Sequence, residues 1–330
     1  MAGRVIIVGV RRGGSLVPSS EIRQMMGRAG RDHEREGVVE FVVEESDIGV
    51  IDELLQDGAT TVVSSMSNPD LLATAILPDI CSGVITKHSE AVQWCQRSFC
   101  AEPALDKALM LLKEVEAIGE NFAPTELGKV ASAFYFHPAD VYAWRENFRV
   151  LFDQGLENDE VAPAWALGNV PYDRIVGDLG ERREVTSECR SRVPLGMSVM
   201  KGSLVNVTTW WYLMGGPSVG PLRLSCLERR KDFGRTKGAL MRLGAIEDWD
   251  MSSFIDDLEI RVRRGITPEL LPLCRFAGIT KGRAAFLFES GITGPEKFHE
   301  AVDKFGDDEI DDAFQKAIET AARECCQASN

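Results

Sequence analysis

Residues 19–34 read SSEIRQMMGRAGRDHE and place two arginines, Arg28 and Arg31, three apart in a turn bracketed by Gly27 and Gly30. Two guanidinium groups in a glycine-bracketed turn have the makings of a phosphate-reading element. Near the other end, GITKGRAAFLFES sets a tight Gly278–Ile279–Thr280 turn before a helix that carries Lys281 and Arg283. Two short helices joined this way form a helix–hairpin–helix. That device offers backbone N–H groups at a helix start to a nucleic-acid phosphate without reading sequence. An ordinary helical corner would look the same. Between these segments, KGSLVNVTTWWYLMGGP carries adjacent Trp210 and Trp211. An indole can stack on a nucleobase, yet large aromatics mostly serve burial, and both readings stay open. ERRKDFGRTK (228–237) and RVRRG (261–265) are basic runs, the second carrying Arg261 and Arg264.

Other chemistries find little support. The 330 residues contain no G-x-x-x-x-G-K-[ST] loop for β- and γ-phosphates and no D-E-x-H for magnesium. Eight cysteines include no C-x-x-C pair, and there are only four histidines, so no metal site is expected. Reduced cysteines in a cytosolic protein are the expectation. The net charge of -14 taken alone argues against nucleic acid. The charge is uneven, however: DKFGDDEIDDAF (303–314) is strongly acidic while the two runs above are basic. Binding depends on the local field, so an acidic total leaves room for a basic groove. Each basic run also suits a plain solvated helix face. No apolar run is long enough to span a membrane, and the first residues lack a signal-peptide pattern.

The elements that must position these residues follow from periodicity. Residues 4–9 suggest a buried strand, SSEIRQMMG a short helix capped by Ser19 or Ser20, and GVVEFVVEE a second strand. This strand–helix–strand piece is too small to bury a doubly wound core alone. From about residue 50 the pattern is helical: PDLLATAILPDICSGV, EAVQWCQRSFCA, and ALDKALMLLKEVEAIGE with Leu105, Ala108, Leu109, Leu112 and Val115 on one face and Gly119 as C-cap. Thr125 caps a further short helix, and Phe134–Tyr135–Phe136 reads as a strand. Helices with a short strand pair suit a winged-helix module, and a plain helical bundle would share that pattern. Residues 140–265 are helical with polar interruptions, and Thr267 with Pro268 starts the final helical group.

Q-x-x-G-R-A-G-R at Gln24–Arg31 resembles motif VI of the superfamily 2 helicases, in the form used by the Ski-type DExH-box branch. The preceding AGRVIIVGVRRGG is similar to the tail of that family's motif V. SNPDLLATAILPDICSGV and PTELGKVASAFYFHPAD are similar to its winged-helix segment. EIRVRRGITPELLPLCRFAGITKGRAAFLFESGI closely resembles the end of the archaeal Hjm-type DNA-repair helicases and their metazoan HelQ relatives.

The resemblance implies a mainly α chain. Residues 1–48 would be the C-terminal piece of a second RecA-like α/β lobe, 49–140 a winged helix, 141–265 a helical ratchet bundle and 266–330 a helix–hairpin–helix domain. It implies the C-terminal half of an ATP-dependent 3′–5′ DNA helicase. Arg28 and Arg31 would reach the γ-phosphate, where charge develops during hydrolysis. Gln24 would lie at the nucleotide site, and Gly27 and Gly30 would shape the turn. ATP and Mg2+ would be held mainly by a lobe supplied elsewhere in the same or another chain. Single-stranded or forked DNA would be the partner, in the cytoplasm or, in a eukaryote, the nucleus. Trp210 or Trp211 matches a ratchet tryptophan, but the arginine two turns earlier has no equivalent, since Ser203 and Leu204 stand there. The family's I-G-x-x-R-A-R appears with Thr280 for the second glycine and Ala285 for the last arginine. A stand-alone binding module, or an RNA helicase of the same branch, would share much of this pattern.

Overall fold

A computed structural model of the chain describes residues 3–12, 15–30, 36–56, 64–97, 102–173, 183–217, 222–305 and 309–328. The chain divides into two compact units, Met1–Ser64 and Ser65–Asn330.

In the first unit, β1 (Arg4–Val8) and β4 (Val38–Val42) pair in parallel, with Ile6 opposite Glu40 and Val8 opposite Val42. Between them lie a short antiparallel pair, β2 (Arg11–Arg12) and β3 (Ser15–Leu16), and helix α1 (Ser19–Met26). Helix α2 (Ile48–Gln56) follows. Ser19 is helical rather than capping: Pro18 takes the cap position without a side-chain bond. Ile7, Val10, Val17, Ile22 and Ile51 make the core. The expected buried strand is covered on one face only, for Ile6 and Val8 are 55% and 76% exposed. Successive side chains of a strand point to opposite faces. The core occupies the Ile7 side of β1, which leaves Ile6 and Val8 on the uncovered side.

The second unit is helical: α3 (Pro69–Cys81), α4 (His88–Arg97), α5 (Glu102–Glu114), α6 (Glu126–Phe134), α7 (Pro138–Asp153), α8 (Ala162–Gly168), α9 (Arg183–Arg192), α10 (Leu204–Leu213), α11 (Arg223–Glu247), α12 (Ser252–Arg264), α13 (Leu271–Cys274), α14 (Lys281–Glu289), α15 (Phe298–Lys304) and α16 (Asp312–Ala328). The expected apolar face of α5 is buried throughout. That helix ends before Gly119, with Glu116 taking the left-handed backbone near its end. Phe134–Phe136 is not a strand. Residues through Phe134 finish α6, Tyr135 turns at φ 54°, and Pro138 opens α7. Among the described residues of this unit, β pairing is limited to an isolated bridge between Ile118 and Pro124. One continuous core runs from Leu72 to Val262, and a second gathers residues between Ile266 and Ala322. Cys95 departs from the reduced-thiol expectation, since it is disulfide-bonded.

The centre of the larger core is α8 against α10. LVNVTTWWYL has no polar stripe, so α10 is buried on all sides, as such a helix must be. A Cβ on Gly168 would lie 2.6 Å from the backbone of Val207, so only glycine permits this approach.

Candidate functional site

The arginine-bearing turn follows directly from α1. Gly27, Arg28 and Ala29 donate to the Arg23, Met25 and Met26 carbonyls at 2.9, 3.1 and 3.0 Å, and Gly30 turns at φ 62°. Gly37 lies against this turn: a Cβ there would sit 2.5 Å from both the Ala29 carbonyl carbon and the Gly30 nitrogen. The chain entering β4 therefore braces the turn backbone to backbone. Gln24 and Arg28 are exposed, one helical turn apart. Among the described residues, Arg28 has no ion-pair partner. Arg23 does the opposite, donating to the Leu54 carbonyl at 3.0 Å and tying α1 to α2. Arg31 lies outside the described residues.

The tryptophans sit elsewhere than a stacking role requires. Trp210 and Trp211 are 2% and 1% exposed, so neither offers a ring face to a base. The Trp211 indole donates to Glu160 Oε1 at 3.1 Å, and Arg192, itself paired to Glu160, lies 5.6 Å over its ring. Trp210 meets Phe233 edge-on, and its buried Nε1 has no acceptor.

The cations near the hairpin are mostly occupied. Arg261 is 3% exposed and donates to the Asp159 and Glu160 carbonyls. Burial lowers its pKa to about 10, opposed by Glu269, Asp159 and Glu160. The cavity of about 360 Å³ that it lines also carries Glu157, Asp250 and Asp257, a charge set unsuited to phosphate. Arg264 and Lys281 are exposed but bridge the two sides of the joint: Arg264 donates to the Ile279 carbonyl, and Lys281 to the Gly265 carbonyl, each at 2.6 Å. Gly278 turns at φ 79° against Ala317. Thr280 caps α14, accepting from the Arg283 N–H at 3.4 Å. Arg283 itself donates to the Gly278 carbonyl and pairs with Asp311, both at 3.0 Å. These groups hold the hairpin to α12 and α16.

Two exposed cations of the first basic run stand on α11. Of the cations in ERRKDFGRTK, Arg229 turns inward to Asp173 and Asn206, Arg235 pairs with Asp232, and Lys237 pairs with Glu259 at 2.5 Å. Arg230 and Lys231 are exposed and have no ion-pair partner among the described residues. The basic run was legible in sequence. Which of its members face water was not, because that depends on where α11 crosses its neighbours.

A polar group around the buried Asp140 is linked to α11 through the Arg229–Asp173 pair. Asp140 accepts the Tyr172 and Asp173 N–H groups, both at 2.8 Å. Burial raises its carboxyl to about 7, opposed by those bonds and by Arg229. His137 stacks on Tyr172 at 3.6 Å between ring centroids, and burial lowers its imidazole to about 4, with Asp70 pulling the other way.

No family model matches the chain. It is similar to two proteins named ATP-dependent DNA helicase Hel308. It is 22% identical to that of Thermoplasma volcanium, over 87% of this chain and 45% of the relative. It is 24% identical to that of Thermococcus kodakarensis, over 89% of this chain and 30% of the relative. It is also 24% identical to DNA polymerase theta of Caenorhabditis elegans, over 88% of this chain and 21% of that protein. The chain thus spans less than half the length of the curated relatives it matches. These likenesses support a helicase-related fold, and the structure is mainly helical, as expected.

Proposed function

We propose that the chain is the C-terminal portion of an ATP-dependent 3′–5′ DNA helicase that works in repair or fork processing. Arg28 and Arg31 reach a nucleotide held by a lobe outside these 330 residues. The helical unit carries the translocating strand. Arg28 carries the reading: it is exposed, lacks a carboxylate partner among the described residues, and stands on a turn braced by Gly37. A cation displayed on fixed backbone suits a phosphate brought to it. ATP with Mg2+ would supply the phosphoryl group and most of its charge neutralisation. The described residues include no grouping of acidic, histidine or cysteine side chains fit for a metal. This chain's own part is then to place Gln24 and Arg28 beside the γ-phosphate.

In the helical unit, burial of Trp210 and Trp211 moves strand contact to the exposed face of α11, with Arg230 and Lys231 on the phosphates. The test is oligo-dT binding by fluorescence anisotropy across 50–200 mM salt. Affinity should fall steeply as salt rises, and Arg230→Glu with Lys231→Glu should flatten that slope. Salt-insensitive binding refutes the reading. In the longer protein, Arg28→Ala should lower DNA-stimulated ATP turnover by about 10³-fold while DNA affinity holds. Equal loss of both would make Arg28 structural.

A further inference from the structure

We infer that Tyr135, at the corner between α6 and α7, is the residue on which a base of single-stranded DNA stacks. This rests on the strand-binding reading of α11 given above. The end of α6 forms a full left-handed cap: Phe136 N–H donates to the Ala131 carbonyl at 3.0 Å, and Tyr135 N–H to that of Ser132 at 3.4 Å. The residue at the left-handed position of such a cap is usually glycine, because a Cβ is strained there. Here it is a tyrosine at φ 54°, and its side chain is not used for packing, for the residue is 79% exposed. Among the described residues, its ring meets no other aromatic. A large aromatic is thus held in an unfavourable backbone state and left in water. Strain of this kind gathers where a side chain must be aimed.

The aim is fixed by α11. Arg235 donates to the Phe134 and Tyr135 carbonyls at 3.1 and 2.8 Å, and its guanidinium lies 4.0 Å from the Phe136 ring centre. The Phe134 ring lies over Gly238, where a Cβ would come within 2.5 Å of it. The corner is therefore clamped to α11 on both sides of Tyr135. Lys231 stands one turn from Arg235, and residues four apart on a helix are neighbours. Gly234, on the same stretch, has nothing within 4 Å of where a Cβ would project. Exposed cations, an open glycine that admits a backbone, and an exposed ring carried on a clamped backbone together match a single strand: phosphates on Arg230 and Lys231, a base on Tyr135.

The strain separates this role from a structural one. Tyr135→Gly removes the ring but suits the backbone, so its melting temperature should not fall. Its affinity for oligo-dT should drop roughly 5- to 150-fold, the range expected for one stacked base. Tyr135→Phe should bind within about twofold of the parent. For an oligonucleotide of abasic sites, parent and Tyr135→Gly should bind alike. The inference is overturned if Tyr135→Gly keeps the parent's affinity for oligo-dT, or if it loses affinity and melting temperature together. If the parent chain shows no salt-dependent binding of oligo-dT, the strand-binding reading itself fails, and the role of Tyr135 with it.

Discussion

Replacing each indole by phenylalanine asks what Trp210 and Trp211 are for. Both side chains sit in the core around α10, at 2% and 1% exposure. Each substitution leaves a gap beside tightly packed neighbours, a loss of about 1–3 kcal/mol for a deletion of this kind. The hydrogen bonds then separate them. Trp210 Nε1 is buried with no acceptor. Removing an unsatisfied buried donor returns about 1–3 kcal/mol, so Trp210→Phe should be close to neutral. Trp211 Nε1 donates to Glu160 Oε1 at 3.1 Å. A bond to a charged partner contributes about 1.5–3 kcal/mol, so Trp211→Phe loses this as well as volume. The two variants should therefore differ by about 2 kcal/mol or more, with Trp211→Phe the weaker. Urea unfolding followed by far-ultraviolet circular dichroism measures the gap, provided the slopes agree. Neither variant should change affinity for oligo-dT at temperatures where it stays folded. A drop above fivefold in either, at full stability, would return that tryptophan to the strand and refute the core assignment.

Two further perturbations probe the same unit. Gly168→Ala places a methyl group 2.6 Å from the Val207 backbone, which cannot rotate away. It should destabilise by about 1–3 kcal/mol through overpacking, read as a lower urea midpoint; an unchanged midpoint would mean that α8 and α10 can separate freely. Asp140→Asn should change how stability depends on pH. With its folded pKa raised to about 7, Asp140 keeps a proton that the unfolded chain releases above 3.8, so its contribution falls as pH rises through 7. His137, lowered from 6.5 to about 4, contributes stability that is lost as pH falls through that interval. The two slopes oppose each other between pH 4 and 6.5. Removing the Asp140 slope should leave a loss on acidification steeper than the parent's by about 1 kcal/mol per pH unit. Parallel curves for parent and variant would place Asp140 outside this balance.

Local pattern was enough to read much of the chain. Helix spacing marked α5 and its buried face, and Thr125 stood where a cap is needed and accepts the bond a cap requires, whereas Thr267 precedes its helix without a side-chain cap bond. The helical character of residues 140–265 was legible, and so was the glycine-bracketed turn of Q-x-x-G-R-A-G-R, because such features depend on neighbours three or four residues away. Phe134–Tyr135–Phe136 misled, since an aromatic run favours a strand until a helix cap and the Arg235 clamp, one hundred residues distant, settle the backbone. The same distance effect decided the cations. Sequence determined that RVRRG and ERRKDFGRTK are basic, but long-range packing put Arg261 under the Asp159 and Glu160 carbonyls and Arg229 against Asp173, and left Arg230 and Lys231 in water. It also buried both tryptophans and left Tyr135 exposed. Residue type sets what a side chain can do, whereas access to solvent belongs to the crossing of helices far apart in the chain, and only the tertiary structure supplies it.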